Sequence, residues 1–184
     1  MRYIFLSVTL SLALLFTACA STRNIDRLAY QNAKLYVEAT FTLDDEIIPV
    51  TLTLEAPEYD DDGRMLARDA VLTLGENSII SGVNFEITDG SVYISSGALK
   101  IPISDESVVS GVADIISLFC ISGEHYHSSE STKLDGVKCE RALYVNGENR
   151  VEVTLDTTCM LPTDIVAEID GHTIAADISY IKAE

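Results

Sequence analysis

Apolar and polar residues alternate along most of the chain from residue 35 onward, which is the pattern of strands that bury one face. The first two such segments, 35–43 and 48–54, are separated by a short acidic turn and indicate an antiparallel pair. Their apolar positions include Val37, Phe41 and Leu52, all on the same face. The pattern therefore predicts a sheet with one side in the core.

Turn sequences divide the later strands into hairpins. Asp89-Gly90 suits a two-residue turn with positive φ, and the resulting register places Phe85 opposite Ile94 on an apolar face. Two more hairpins are predicted near the C terminus, one around residues 146–149 and one around Asp170-Gly171. The chain therefore returns on itself repeatedly, as antiparallel sheets do.

Residues 105–119 are predicted to form the main helix, capped by Ser104. Its apolar positions recur every three or four residues, and the stripe includes Val112, Ile115, Ile116 and Phe119. Residues 21–33 form either a linker or a second, short helix, and the polar segment 122–136 is a loop or a ragged strand. Many antiparallel strands with one long helix predict an α+β fold, in which a curved antiparallel sheet carries the helix on its concave, apolar side.

The N terminus has the features of a cleaved secretory signal. Arg2 precedes an uncharged run that ends in small residues before Cys19, and this run is shorter and more polar than a membrane span. The stretch Phe16-Thr17-Ala18-Cys19 resembles a bacterial lipobox, which implies that Cys19 is acylated and becomes the first residue of the mature protein. The alternative is an ordinary signal peptide in which Cys19 has no special role.

The lipobox reading sets the domain organisation and the location. It predicts a cleaved lipoprotein signal peptide at residues 1–18, a tether at 19–27 and one β-rich domain at 28–184. The protein would lie in the bacterial cell envelope, attached to the membrane by acylated Cys19 on the extracytoplasmic side. More than one acyl chain makes such attachment stable.

Charge restricts the partners. The chain carries 12 Lys and Arg against 29 Asp and Glu, a formal net charge of −17. This excludes nucleic acid as a partner, because a polyanion would be repelled. Apolar residues are abundant and periodic, so the acids are expected to form a solvated surface rather than a disordered chain. Nothing in the sequence indicates the oligomeric state.

Three cysteines follow Cys19, and an envelope location permits a disulfide between two of them. A hairpin turning at residues 148–150 would continue in a register that places Cys139 opposite Cys159, and this is the predicted bond. It would close a loop of about 20 residues and stabilise the fold by roughly 3 kcal/mol. Cys120 would then be a buried thiol, although a Cys120–Cys139 bond remains the alternative.

Arg141 shares strand parity with Cys139 in that register and is therefore predicted to point inward. A buried cation requires a partner, which would be a carboxylate or a ligand head group at the rim of a cavity. A different register would move Arg141 outside.

Motifs for metals, cofactors and catalysis are weak or missing from the sequence. Acids at Glu58, Asp60, Asp62 and Asp69 approach calcium-loop spacing, but a solvated acidic turn explains them better. His125 and His127 share one side of an extended segment without a third ligand. No nucleophile elbow or phosphate-binding glycine loop is present. We therefore predict a protein that is not an enzyme and has no metal or cofactor.

The order of elements, ending in "NRVEVTLDTTCMLPTDIVAEIDGHTIAADISYI", resembles the LolA/LolB-like and LprG-like group of envelope lipoproteins. The most similar local features are a strand ending in Leu155-Asp156, a turn reaching Leu161-Pro162 and a hairpin over a glycine-containing turn. The resemblance implies an open β-barrel, or half-barrel, whose cavity accepts acyl chains.

We therefore expect a lipid or another amphiphile to bind between sheet and helix. The alternative is a structural or surface interaction lipoprotein with a filled core, and a metal-dependent enzyme is a weaker third hypothesis. The predicted cavity residues are Val37, Phe41, Leu52, Phe85, Ile94, Val112, Ile115, Ile116, Phe119 and Arg141.

Overall fold

A computed structural model describes residues 26–43, 46–61, 68–75 and 83–184 of the chain. The predicted signal peptide, Cys19, most of the tether and Asp62 of the acidic loop lie outside the described residues. Within them the strands are β1 (Leu35–Leu43), β2 (Glu46–Leu54), β3 (Ala70–Leu74), β4 (Asn84–Thr88), β5 (Ser91–Ser96), β6 (Leu99–Pro102), β7 (Tyr126–Leu134), β8 (Val137–Asn146), β9 (Asn149–Asp156), β10 (Pro162–Ile169) and β11 (His172–Ala183).

All these strands belong to one antiparallel sheet with the order β6-β5-β4-β3-β2-β1-β11-β10-β9-β8-β7. The terminal strands β1 and β11 pair at the centre of the sheet, and β6 and β7 form its two free edges. The fold is a curved, open α+β half-barrel, which confirms the predicted fold class. In the part of the chain that is described, no helix has the length and apolar character needed to span a bilayer.

The long helix α1 covers Glu106–Ser117, close to the predicted 105–119. Asp105, rather than Ser104, is its N-cap: the Asp105 carboxylate accepts hydrogen bonds from the backbone amides of Ser107 and Val108. The predicted short N-terminal helix is a 3-10 helix at Ala29–Asn32, and a second one lies at Gly123–His125.

The hairpin predicted at Asp89-Gly90 is confirmed. Both turn residues have positive φ, and β4 and β5 pair with Phe85 opposite Ile94. The hairpin at Asp170-Gly171 is confirmed as well, as the turn between β10 and β11. Aspartate and glycine tolerate the left-handed conformation that these turns require, and for this reason their sequence signal is strong.

The predicted register of β8 and β9 is wrong. The structure places Leu143 opposite Glu152 and Cys139 opposite Asp156, with the turn at Gly147-Glu148. Because side chains alternate across a strand, this register reverses the predicted faces of β8. Ala142 and Tyr144 are buried on the inner face, whereas Arg141 points to the outer one.

The segment 122–136, predicted as a loop or ragged strand, contains the regular nine-residue strand β7. Nearly every residue of β7, which forms one edge of the sheet, is exposed on both faces of the strand. A strand with no buried face has no alternating pattern, and its sequence therefore resembles a loop.

Candidate functional site: the inner face of the sheet

The inner face of the sheet is a continuous apolar surface. Cross-strand pairs connect its residues from the centre towards the β6 edge, and these pairs are Val37–Leu52, Leu52–Leu72, Leu72–Phe85, Phe85–Ile94 and Ile94–Ile101. Val37, Phe41, Leu52 and Phe85, four of the predicted cavity residues, are buried on this face. The sequence pattern located them because apolar and polar residues alternate clearly in their three strands, β1, β2 and β4.

Helix α1 covers part of this surface. Val112 and Ile115 of the helix and Phe119, just beyond its end, are buried in one cluster with the sheet residues, and Ile116 packs against that cluster. The predicted helix and sheet residues thus meet across one apolar interface. Burying such aliphatic and aromatic side chains stabilises the fold by about 1.5–3 kcal/mol each.

The inner face remains open towards the edge strand β6. Leu99 and Ile101 of β6 lie on this face, and the Leu99 side chain is 60% exposed. Ile94 of β5, which pairs with Ile101, is also partly exposed there. Exposed apolar side chains that continue a buried apolar face form a candidate binding surface, and we call this part of the inner face the groove.

At the opposite end of α1 a depression of about 300 Å³ separates the helix from two hairpin turns. Cys120 and Ile121 line it from the helix side, and Tyr144, Val151 and Ile169 line it from the sheet. Burial raises the pKa of the Cys120 thiol and raises the pKa of Tyr144 to about 12, so both groups stay neutral at ordinary pH. The carboxyl group of Asp114 in α1 and the imidazole of His125 also line the depression, so its wall combines apolar and polar groups.

Arg68 fixes the N-terminal 3-10 helix, a role that the sequence analysis missed. Its buried guanidinium donates hydrogen bonds to the backbone carbonyl oxygens of Glu55, Gln31 and Ala33 at 2.8, 3.1 and 2.8 Å. Tyr30 of this helix is buried in the core, which raises the pKa of its hydroxyl group. No spacing in the sequence indicates such contacts, because Arg68 is more than 30 residues from two of its partners.

Arg141 does not lie on the inner face of the sheet. On the outer face, its guanidinium approaches the carboxylates of Glu152 and Glu130 at 3.1 and 3.7 Å. The shorter contact is an ion pair without hydrogen-bond geometry, and Nε has no hydrogen-bond partner. A depression of about 340 Å³ places Asp164 and Asp177 beside Arg141. Arg141 was predicted to point inward and to meet a carboxylate or a ligand head group. It lies instead among carboxylates on the outer face.

The three described cysteines are free thiols in the structure. Cys139 is buried opposite Asp156, and Cys159 is exposed in the turn between β9 and β10. The register from which the Cys139–Cys159 bond was predicted is thus absent. Among the described residues, no group of three or more His, Cys, Asp or Glu side chains is arranged to hold a metal ion.

No family model and no curated protein matches the sequence. Among solved structures, the chain is similar to MucB at 13% identity, over 86% of this chain and 57% of that one, with a TM-score of 0.48. It therefore spans little more than half the length of MucB. It is also similar to LprF from Mycobacterium bovis, at 13% identity over 86% of this chain and 90% of LprF, with a TM-score of 0.44.

A LolA superfamily protein from Nitrosomonas europaea is similar at 12% identity, over 84% of this chain and 87% of that one, with a TM-score of 0.42. The group that the sequence resembles is thus among the structures found. Structural similarities with identities of 12–13% and TM-scores below 0.5 carry no information about the ligand or partner of this chain.

Proposed function

We propose that the protein is a membrane-anchored envelope lipoprotein that binds a lipid or another amphiphile on the inner face of its sheet. The open part of this face near β6, formed by Ile94, Leu99 and Ile101, is the observation that carries the proposal. It extends the buried apolar surface under α1 to solvent. An acyl chain lying there would gain about 0.8 kcal/mol for each methylene group that it buries.

The lining of the groove suits the chain of an amphiphile. It consists of aliphatic side chains, and the Lys100–Glu86 ion pair, at 3.0 Å, lies on the outer face of the same strands. An acyl chain fits the aliphatic lining, and its polar head would lie at the solvent-exposed edge. Anchoring through Cys19 would keep the groove close to its ligand in the membrane.

Native mass spectrometry of the mature domain after mild purification tests the proposal. We expect bound species with acyl-chain masses in the unmodified domain and their loss in Ile101→Glu, because a carboxylate in the groove is poorly tolerated beside an acyl chain. Ile47→Glu is the matched control, since Ile47 is exposed on the outer face of β2 and should leave binding unchanged.

A domain that carries no acyl species and takes up no fluorescent fatty acid would contradict lipid binding. The same inner face would then belong to an interaction module with a filled core. Bound metal in the spectrum would favour the metal-dependent enzyme.

A further inference from the structure

The hairpin that joins β7 to β8 differs from the rest of the surface in its exposed residues. Leu134 and Val137 face each other across the turn, and each is 44% exposed. Lys133 and Lys138 form the next pair and are exposed on the opposite face of the hairpin. The tip thus presents two aliphatic side chains on one face and two cations on the other.

Asp135 is the one acidic residue among residues 133–138, and its place in the turn accounts for its presence there. Asp135 and Gly136 have φ values of 49° and 87°, a conformation that aspartate and glycine tolerate best. Neither lysine pairs with a described acid, whereas Lys34, Lys100 and Lys182 all do. Residues 133–138 thus carry two lysines and one aspartate, a small local excess of positive charge on a chain with a net charge of −17, and Asp164 and Asp177 line the depression beside Lys133 and Leu134.

We propose that this hairpin tip, residues 133–138, is a membrane-contact element that docks on anionic lipid head groups. Its two lysines match the negative surface, and Leu134 and Val137 can enter the boundary between head groups and acyl chains, as in interfacial elements generally. Most of the remaining surface is acidic and would be repelled. The tip therefore sets the orientation of the protein on the bilayer.

The length of the tether is compatible with this contact. Arg27, near the start of the described chain, is held against β7 and β8: its Nε lies 2.7 Å from a carboxylate oxygen of Glu140, and its guanidinium stacks on Tyr126 at 4.9 Å. Glu140 is three residues from Val137, about 10 Å along the strand. The eight residues from Cys19 to Arg27 span at most about 29 Å. An anchor at Cys19 thus leaves the tip within reach of the same bilayer.

This inference rests on the anchoring in the proposed function, and its test separates the two. The chain contains no tryptophan, so Leu134→Trp introduces a single fluorescent reporter at the tip. Purified full-length lipoprotein is reconstituted into vesicles of phosphatidylglycerol and brominated phosphatidylcholine. We expect a shift of the emission to shorter wavelength and a roughly twofold loss of intensity, since interfacial apolar residues lie about 5–10 Å into the boundary region.

Val71→Trp is the matched control, because Val71 is 40% exposed on the outer face of β3. Its emission should change little, and Val137→Trp should reproduce the result at the tip. Adding Lys133→Gln and Lys138→Gln to the Leu134→Trp chain should remove most of the quenching. A circular dichroism spectrum checks that each variant is folded.

Two results would overturn the inference. If the protein floats with the vesicles while the reporters at 134 and 137 stay unquenched, or are quenched no more than the one at 71, the tip makes no membrane contact and the anchor stands. If the protein does not float at all, the anchor and the contact both fail.

Discussion

Asp164 shows how a single outer-face residue affects stability. It is half-buried on β10 and lies directly opposite Asp177 of β11. Burial and the Asp177 carboxylate raise the pKa of Asp164, while Arg141 acts in the opposite direction. The folded state therefore holds this proton more tightly than the unfolded chain. The resulting stabilisation is present below the ordinary pKa of aspartate and is lost as pH rises through the raised pKa.

Asp164→Asn should consequently be more stable than the unmodified protein at neutral pH, with a difference that shrinks as the pH falls towards about 4. Urea unfolding at several pH values measures this difference in the free energy of unfolding. Glu168→Gln, an exposed substitution on the same strand, should change little at any pH. Destabilisation by Asp164→Asn at neutral pH would show that the ionised carboxylate is instead well compensated.

Cysteine reactivity tests the placement of the three thiols. Cys159 is exposed, Cys139 is only 2% exposed, and burial raises the pKa of Cys120, which lowers its thiolate fraction. A maleimide reagent should therefore label Cys159 first and Cys139 only after unfolding, as peptide mapping would show. An unreduced Cys139–Cys159 crosslink in the map would instead support the pairing predicted from the sequence.

The β4–β5 and β8–β9 hairpins show when the register of a strand pair can be predicted from the sequence. In β4–β5, Asp89-Gly90 fixes the turn, and only one face of each strand is strongly apolar, so the register and the inner positions of Phe85 and Ile94 were predictable. In β8, Leu143 and Val145 are half-buried on the outer face while Ala142 and Tyr144 are buried on the inner one. Because β8 has apolar residues on both faces, its sequence pattern does not show which face is the inner one. The prediction that Arg141 points inward failed for this reason.

Helix α1 allows the bound-ligand and filled-core hypotheses to be separated. Val112 is buried between the helix and the sheet. If the interface adapts to a ligand, Val112→Phe should cost less than about 1 kcal/mol and should weaken uptake of a fluorescent fatty acid, because the added ring occupies ligand space. Chemical denaturation and a binding titration on the same sample measure both effects.

Gly111→Ala is a suitable control for this substitution, because nothing lies within 4 Å of the added methyl group and the change favours the helix. It should leave uptake unchanged. A loss of about 1 to 3 kcal/mol in Val112→Phe, together with no saturable uptake by the unmodified domain, would indicate a core already packed to normal density.

At the scale of the whole molecule, the chain at Arg27 would join the proposed anchor to the β7 edge of the sheet, where the hairpin tip lies, whereas the exposed inner-face residues near β6 lie at the other end of the strand order. The 3-10 helix that follows Arg27 is held by Arg68 and packs into the core through Tyr30, so any pull on the tether acts directly on the folded domain. The succession of most strands along the chain and the position of the helix were evident from the sequence. The hydrogen bonds from Arg68 to the 3-10 helix segment and the edge position of β7 were not evident, because both depend on contacts between distant segments.

The anchor itself is tested by Cys19→Ser. Serine cannot form the thioether that carries the lipid, so we expect the variant to appear in the soluble fraction or to keep its signal peptide uncut. Fractionation of cells followed by mass spectrometry of the N-terminal peptide distinguishes these outcomes, and the unmodified protein should yield an acylated peptide beginning at Cys19. Cys159→Ser is the matched control, because its thiol is exposed in a turn far along the chain and should have no effect on partition. A Cys19→Ser chain of mature length that still sediments with membranes would contradict the lipobox reading.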